Sequence, residues 1–228
     1  ILNTIINLIN TRLPKFNKSW DKLKHIQILS PMRKGVLGVS NLNNELQNIL
    51  NPPAKNKAEK KFRDVIFRVG DKVMQTKNNY SLKWTRIAGQ GENEGLGVFN
   101  GDVGYIEEID EENQVLKVVF DEERRVIYDY IYLDELDLAY AITVHKSQGS
   151  EFPVVILPSF MGPPMLMNKN LLYTAITRAK QMVVVVGSVK ALHFMINNNR
   201  SFERYSSLKW RIENIIDSSQ QDIDPLAE

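Results

Sequence analysis

Cysteine is absent from the 228 residues. Disulfides, thiolate zinc centres and cysteine nucleophiles are excluded, and a reducing cytoplasm is the default expectation. Histidine is scarce, with 3 copies. Neither His25 nor His193 has ligand-like neighbours in sequence, and no carboxylate pair or histidine cluster has metal-ligand spacing. No metal site is expected in this chain, and a self-contained hydrolase has little support. Long apolar runs are missing too: no stretch approaches the roughly 20 residues that a bilayer crossing needs, so no membrane partner is expected. The opening "ILNTIINLIN" carries Asn3, Asn7 and Asn10 at helical spacing, without a basic leader or a cleavage site, and reads as an amphipathic helix over 1–12. It begins in mid-helix without a Met, as a piece of something longer would. Net charge is only +2, so any binding of a polyanion must come from a local site.

What is present changes period twice along the chain. A strand at 25–30 ("HIQILS"), a turn through "PMRKG" and a helix at 41–50 form a strand-loop-helix unit. "NPPAKNKAEKKF" (51–62) then combines two prolines with lysines, a linker composition that ends the helix. From 63 to about 136 the period becomes two: "VGDKVMQTKN", "GDVGYIEEID", "QVLKVVF" and "RVIYDYIYL" are short alternating runs between turn signals, as in a small antiparallel barrel. The four glycines of "IAGQGENEGLG" (87–97) read as a mobile loop within it. After Leu138 come the continuous apolar strands "AYAIT", "FPVVILP" and "MVVVVG", of the kind buried on both faces of a parallel sheet covered by helices. The fold class is therefore α/β, with a first part at 1–55, a β insertion at 63–136 and a second part at 137–228.

Two stretches look like sites. In "AYAITVHKSQGSEFPVVILP" (139–158) an apolar run breaks for a polar cluster and resumes at once. Thr143 and His145, two apart on an extended segment, would project the same way. Lys146, Ser147, Gln148 and Gly149 fall at the carboxyl end of a strand, where open α/β sheets place ligands. Backbone N–H groups around Ser147 and Gly149 could face an anion, and Glu151 could reach a ribose hydroxyl. The same residue types would serve equally as satisfied polar groups at a strand end. In "NKNLLYTAITRAKQMVVVVG" (168–187), Asn168 or Asn170 can cap a helix whose apolar stripe is Leu172, Ala175, Ile176 and Ala179. Thr174, Thr177, Arg178 and Gln181 form a polar stripe, with Arg178 aimed away from the core. A surface Arg is usually solvated, but a planar, permanently charged fork also suits charge on a transferring phosphoryl. Arg33 and Lys34 sit at another strand end, where a charged turn is an equally good account. Gln75, Lys77, Asn78 and Tyr80 on a barrel strand could meet a nucleic-acid strand by stacking and phosphate contact.

Together the two stretches closely resemble motifs V and VI of superfamily 1 DNA helicases, and the RecD-like group in particular. "IQILSPMRKGVLGVSNLNNELQNILNP", "GDKVMQTKNNY" and "VFNGDVGYIEEID" are similar to segments of bacterial RecD-like helicases, so the resemblance runs from about residue 25 to 200. It implies the second RecA-like motor domain, with a Src-homology-3-like barrel inserted into it. It also implies ATP between two motor domains, single-stranded DNA across both, translocation 5′ to 3′ and a bacterial cytoplasmic setting. Carried over by position, Arg178 would be the arginine finger, Gly149 would approach the γ-phosphate and Glu151 would bind ribose. Thr143, His145, Lys146 and Ser147 would link nucleotide and DNA backbone, with Gln148 a possible further contact.

One departure from the family pattern matters. No G-x-x-x-x-G-K-[ST] loop occurs, and no Asp-Glu pair reads as the magnesium-binding box that goes with one, so the phosphate cradle and Mg2+ ligands are expected in an upstream motor domain. The family's motif IV arginine is expected upstream as well, which leaves Arg33 and Lys34 only as possible ligands. The isolated chain is expected to be inactive. The helicase is expected to act on single-stranded DNA and DNA duplex junctions, and two further expectations stand beside it: a non-catalytic module that binds nucleic acid or protein, and a subunit of an exonuclease-helicase complex.

Overall fold

The computed structural model describes residues 1–87, 93–198, 207, 210–212 and 214–215. The first helical run is α1 (Leu2–Asn7), a π-helical turn (Leu8–Arg12) and α2 (Leu13–Phe16). It extends four residues beyond the expected helix. The widened turn precedes Pro14, which cannot donate to the carbonyl four residues back and whose ring would crowd it in a regular helix. β1 (Ile26–Ser30) is buried at all five positions, and α3 (Val39–Leu50) follows it.

The chain then leaves the first layer for a set of short strands. β2 (Glu59–Phe62) and β3 (Val65–Arg68) form a hairpin, so the lysine-rich end of the expected linker is a strand. The reason is visible in its pairing: Glu59 accepts from buried Arg68 at 2.5 Å, and Lys60 lies 4.0 Å from the centre of the Tyr130 ring. β4 (Lys72–Gln75), β5 (Asn79–Arg86), β6 (Glu94–Val98), β7 (Val103–Asp110), β8 (Val115–Phe120), β9 (Arg124–Asp129) and β10 (Leu136–Leu138) build one antiparallel sheet in the order β10-β4-β7-β8-β9-β5-β6. Residues 88–92 of the expected glycine loop lie outside the described residues, and Glu94–Val98 of that stretch is a strand. On β8 the inward residues Leu116, Val118 and Phe120 are fully buried, as the period of two requires.

β11 (Ala141–Thr143), β12 (Phe152–Ser159), α4 (Lys169–Ile176), β13 (Ala179–Gly187) and α5 (Val189–Asn197) complete the first layer. Its sheet is wholly parallel, in the order β11-β1-β12-β13. Alternate residues enter two different cores: Ile28 and Ile156 pack with α1 and α3, whereas Leu29, Val155 and Leu157 pack with α4 and α5. Burial on both faces is why β1 and β12 read as unbroken apolar runs. β13, expected to be buried likewise, is an edge strand, with Val185 40% exposed and Val186 its one buried residue. The architecture is a RecA-like parallel sheet with helices on both faces and an inserted antiparallel β domain.

A buried polar network crosses the seam between the two layers. Asp71, at the entry to β4, accepts from Asn51 Nδ2 at 2.7 Å, Gln47 Nε2 at 2.6 Å, Tyr140 Oη at 2.8 Å and Arg68 N at 2.7 Å. The next residue, Lys72, crosses the other way and donates to Leu23 O at 2.6 Å and Gln27 Oε1 at 2.9 Å. Gln27 in turn donates to the carbonyls of Ala139 and Tyr140, where the chain returns from the insertion.

Candidate functional site

The polar break after β11 is a tight turn. Val144 is helical (φ −53°, ψ −36°), and His145–Ser147 form a 3-10 turn. Thr143 therefore ends the strand and His145 starts a different conformation, so the expected same-side projection from one extended segment does not apply. Thr143 Oγ1 accepts from Lys146 N at 3.3 Å. Ser147 is fully buried and donates its hydroxyl to Val144 O at 2.7 Å. It shapes the turn from inside, away from any surface where a DNA strand could lie. His145 and Gln148 are exposed.

Gly149 holds the loop open at φ +88°, and a Cβ there would meet nothing within 4 Å. A positive φ disfavours L side chains. The open space leaves the backbone accessible to a ligand.

Arg178 lies where α4 meets β13, not within the helix. α4 stops at Ile176, Thr177 caps it, and Ala179 already pairs with Phe152. Two strand-forming tendencies override the helical period: the run of valines that follows, and pairing to β12. Ile176 is accordingly exposed rather than part of an apolar stripe, while Leu172 and Ala175 are buried. Asn168 is the cap, its Oδ1 accepting from Leu171 N at 2.9 Å. From its junction, the half-buried Arg178 donates to Thr174 O, Ser150 O and Thr177 Oγ1, each at 3.3 Å. Its own carbonyl accepts from Phe152 N at 2.8 Å. The guanidinium is thus held against the loop that carries Gly149. Glu151, on the same loop, pairs with Lys180 at 3.1 Å, both exposed.

The remaining candidates fall in two other places. Arg33 and Lys34 are exposed on the turn after β1. Arg33 Nη2 reaches Asp137 Oδ2 at 3.3 Å, and Lys146 Nζ approaches the same oxygen at 3.8 Å. Burial holds the Lys146 ammonium below the ordinary lysine range; Asp137 opposes that shift and Arg33 adds to it. Asp137 escaped the sequence reading because its partners are 104 and 9 positions away. Tyr80 lies near the start of β5 and Asn78 just before it, remote in the chain from both loops. Tyr80 is 70% exposed and meets Phe99 edge-on at 5.7 Å, and Asn78 Oδ1 accepts from Asn100 N at 2.9 Å. Phe99, a second aromatic on that surface, was also missed.

A family model described as "ATP-dependent RecD-like DNA helicase SH3 domain" matches residues 42–120, and one described as "UvrD-like helicase C-terminal domain" matches 138–186. The chain belongs to the RecD-like DNA helicase family. It is 36% identical over 166 residues to the ATP-dependent RecD2 DNA helicase of Deinococcus radiodurans, covering 73% of this chain and 20% of that one. It is 31% identical over 175 residues to the RecBCD enzyme subunit RecD of Buchnera aphidicola, covering 75% and 26%. The chain thus spans about a quarter or less of the length of these curated relatives. A crystal structure of Bacteroides Pif1 bound to single-stranded DNA aligns over 96% of this chain and 54% of its own, with 15% identity and a TM-score of 0.47. Among the described residues, no helix is long and apolar enough to cross a membrane.

Proposed function

We propose that this chain is the second motor domain of an ATP-dependent DNA helicase, moving 5′ to 3′ on single-stranded DNA and opening duplex junctions. The observation that carries the reading is the anchoring of Arg178 to the carbonyl of Ser150 at 3.3 Å, beside the open backbone of Gly149. A phosphoryl group brought to that loop would meet a charged fork already oriented, with little reorganisation left to make. Fit to the nucleotide is one-sided. Arg178, Gly149 and Glu151 supply a finger, an uncluttered approach and a ribose acceptor, while the phosphate cradle and Mg2+ ligands belong to an upstream motor domain. Bound Mg2+ would neutralise the phosphate oxygens there. Thr143, His145 and Lys146 would face the DNA backbone, and Tyr80 with Phe99 offers aromatic surface for base stacking. The RecD relative supports a second reading of the same chain, as a subunit of an exonuclease-helicase assembly.

The test uses the full-length protein. Arg178→Ala should lower DNA-stimulated ATP hydrolysis by about 10³-fold or more, as loss of other arginine fingers does, with affinity for oligothymidylate unchanged. An equal loss of hydrolysis and DNA affinity would remove the finger role. A full-length wild type that is silent with and without DNA would leave the non-catalytic binding module as the reading.

A further inference from the structure

Two cations from separate strand-end turns converge on one carboxylate oxygen. Arg33 comes from the turn after β1, Lys146 from the turn after β11, and both point at Asp137 Oδ2, at 3.3 and 3.8 Å. They share a narrow cleft with Thr143, floored by Met74 and Ile142. The carboxylate belongs to a different layer from the cations it joins. Asp137 lies on β10, fixed by backbone pairing to Met74 of β4, and the neighbouring Leu138 carbonyl accepts from Asn43 of α3 at 2.7 Å. Its place is therefore set by the inserted sheet and not by the attraction of Arg33 or Lys146.

The geometry is poor for a structural bridge. The Arg33 and Asp137 side chains are 68% and 40% exposed, and the Lys146 contact is at the edge of ion-pair range. Exposed, singly bonded pairs of this kind contribute little to stability. They are also easily exchanged for a better anion. A phosphate offers more acceptor oxygens than one carboxylate edge, and a guanidinium matches it in a planar, two-pronged way.

We propose that Asp137 is a built-in counter-ion standing where a phosphate group binds, between Arg33, Lys146 and Thr143. The inserted sheet thereby competes with a phosphodiester of single-stranded DNA, or with a nucleotide phosphate, for the same two cations. Asp137 is a positioning residue: it keeps Arg33 and Lys146 gathered in the absence of ligand and weakens the ligand's hold. This inference rests on the helicase reading for its ligand, and its test separates the two.

In the full-length protein, Asp137→Asn keeps the shape and removes the charge. Binding of a fluorescent oligothymidylate and of ADP is measured across a salt series, with Asp137→Ser as a second variant and Asp137→Glu as the charge-restoring control. The expected result is oligothymidylate affinity raised about fivefold for Asn and Ser but not Glu. The logarithmic salt slope should steepen by about 0.7 for each cation freed, and Lys146→Ala in the Asp137→Asn background should erase the gain. A gain confined to ADP would assign the same site to nucleotide phosphate. Wild type that binds DNA while Asp137→Asn changes neither affinity nor slope overturns the counter-ion alone. Wild type and variant that both fail to bind either ligand overturn the helicase reading with it.

Discussion

At the scale of single residues, the seam between the layers hangs on Asp71. Burial pushes its carboxyl up, and four donors, Asn51 foremost, oppose that shift. Asp71→Ala would take the acceptor from Tyr140 Oη and Arg68 N and one of two acceptors from each of the Asn51 and Gln47 amides, and a loss of about 3 kcal/mol or more is expected in urea unfolding. The adjacent Lys72 gives a pH signature. Burial holds its ammonium at about 8 against an ordinary 10.5, with the Asp21 carboxylate opposing. Between those two values the unfolded chain binds a proton that the fold has released, so stability should rise with pH from about 8 to 10. Above about 10 the sign reverses. Burial pushes the hydroxyls of Tyr105, Tyr128 and Tyr140 up, so the unfolded chain loses protons that the fold keeps. Urea midpoints from pH 7.5 to 11 should pass through a maximum near 10, and Lys72→Met should flatten the rising limb. None of this was legible in sequence. "VGDKVMQTKN" reads as a short alternating strand run, and nothing local marks Asp71 as the partner of positions 47, 51 and 140.

At the scale of elements, strand identity was legible wherever the period was clean. β1, β8, β11, β12 and β13 fall on the runs that suggested them. The end of α4 was not, because the apolar spacing of Leu172, Ala175, Ile176 and Ala179 continues numerically into a segment that sheet pairing claims. Arg178 was found by motif, whereas its anchoring to Ser150 depends on how β12 and β13 align. That alignment ends at Gly187, which faces Ser159 at φ +140°. A Cβ there would come 2.0 Å from Ser159 O, a backbone atom that cannot swing away. Gly187→Ala should therefore destabilise by at least about 2 kcal/mol, measured by thermal or urea unfolding. An unchanged midpoint would mean that the β12–β13 end shifts freely.

At the scale of the whole molecule, the switch of period from mixed to two and back was enough to suggest an insertion, but not how firmly it is held. One apolar cluster runs without a break from Ile5 and Leu42 through Ile28 and Tyr140 to Phe67, Val118 and Phe120. Together with the polar seam, this predicts one cooperative unfolding transition for both layers. Trp20 packs in the first layer and Trp84 against the β insertion. Single-Trp variants retaining one or the other should report the same urea midpoint and slope, and separated transitions would show two independent units.

The path of the chain also sets a delay during synthesis. β1 is flanked in its sheet by β11 and β12, and its Ile28 pairs with Ala141, 113 positions later. At about 5–20 residues per second, a ribosome needs roughly 6 to 23 s to deliver that partner. Through that interval the apolar "IQIL" has no strand on either side. The nascent chain thus carries an unpaired, aggregation-prone strand until the whole insertion has emerged, and its yield in the cell depends on what shields those four residues meanwhile.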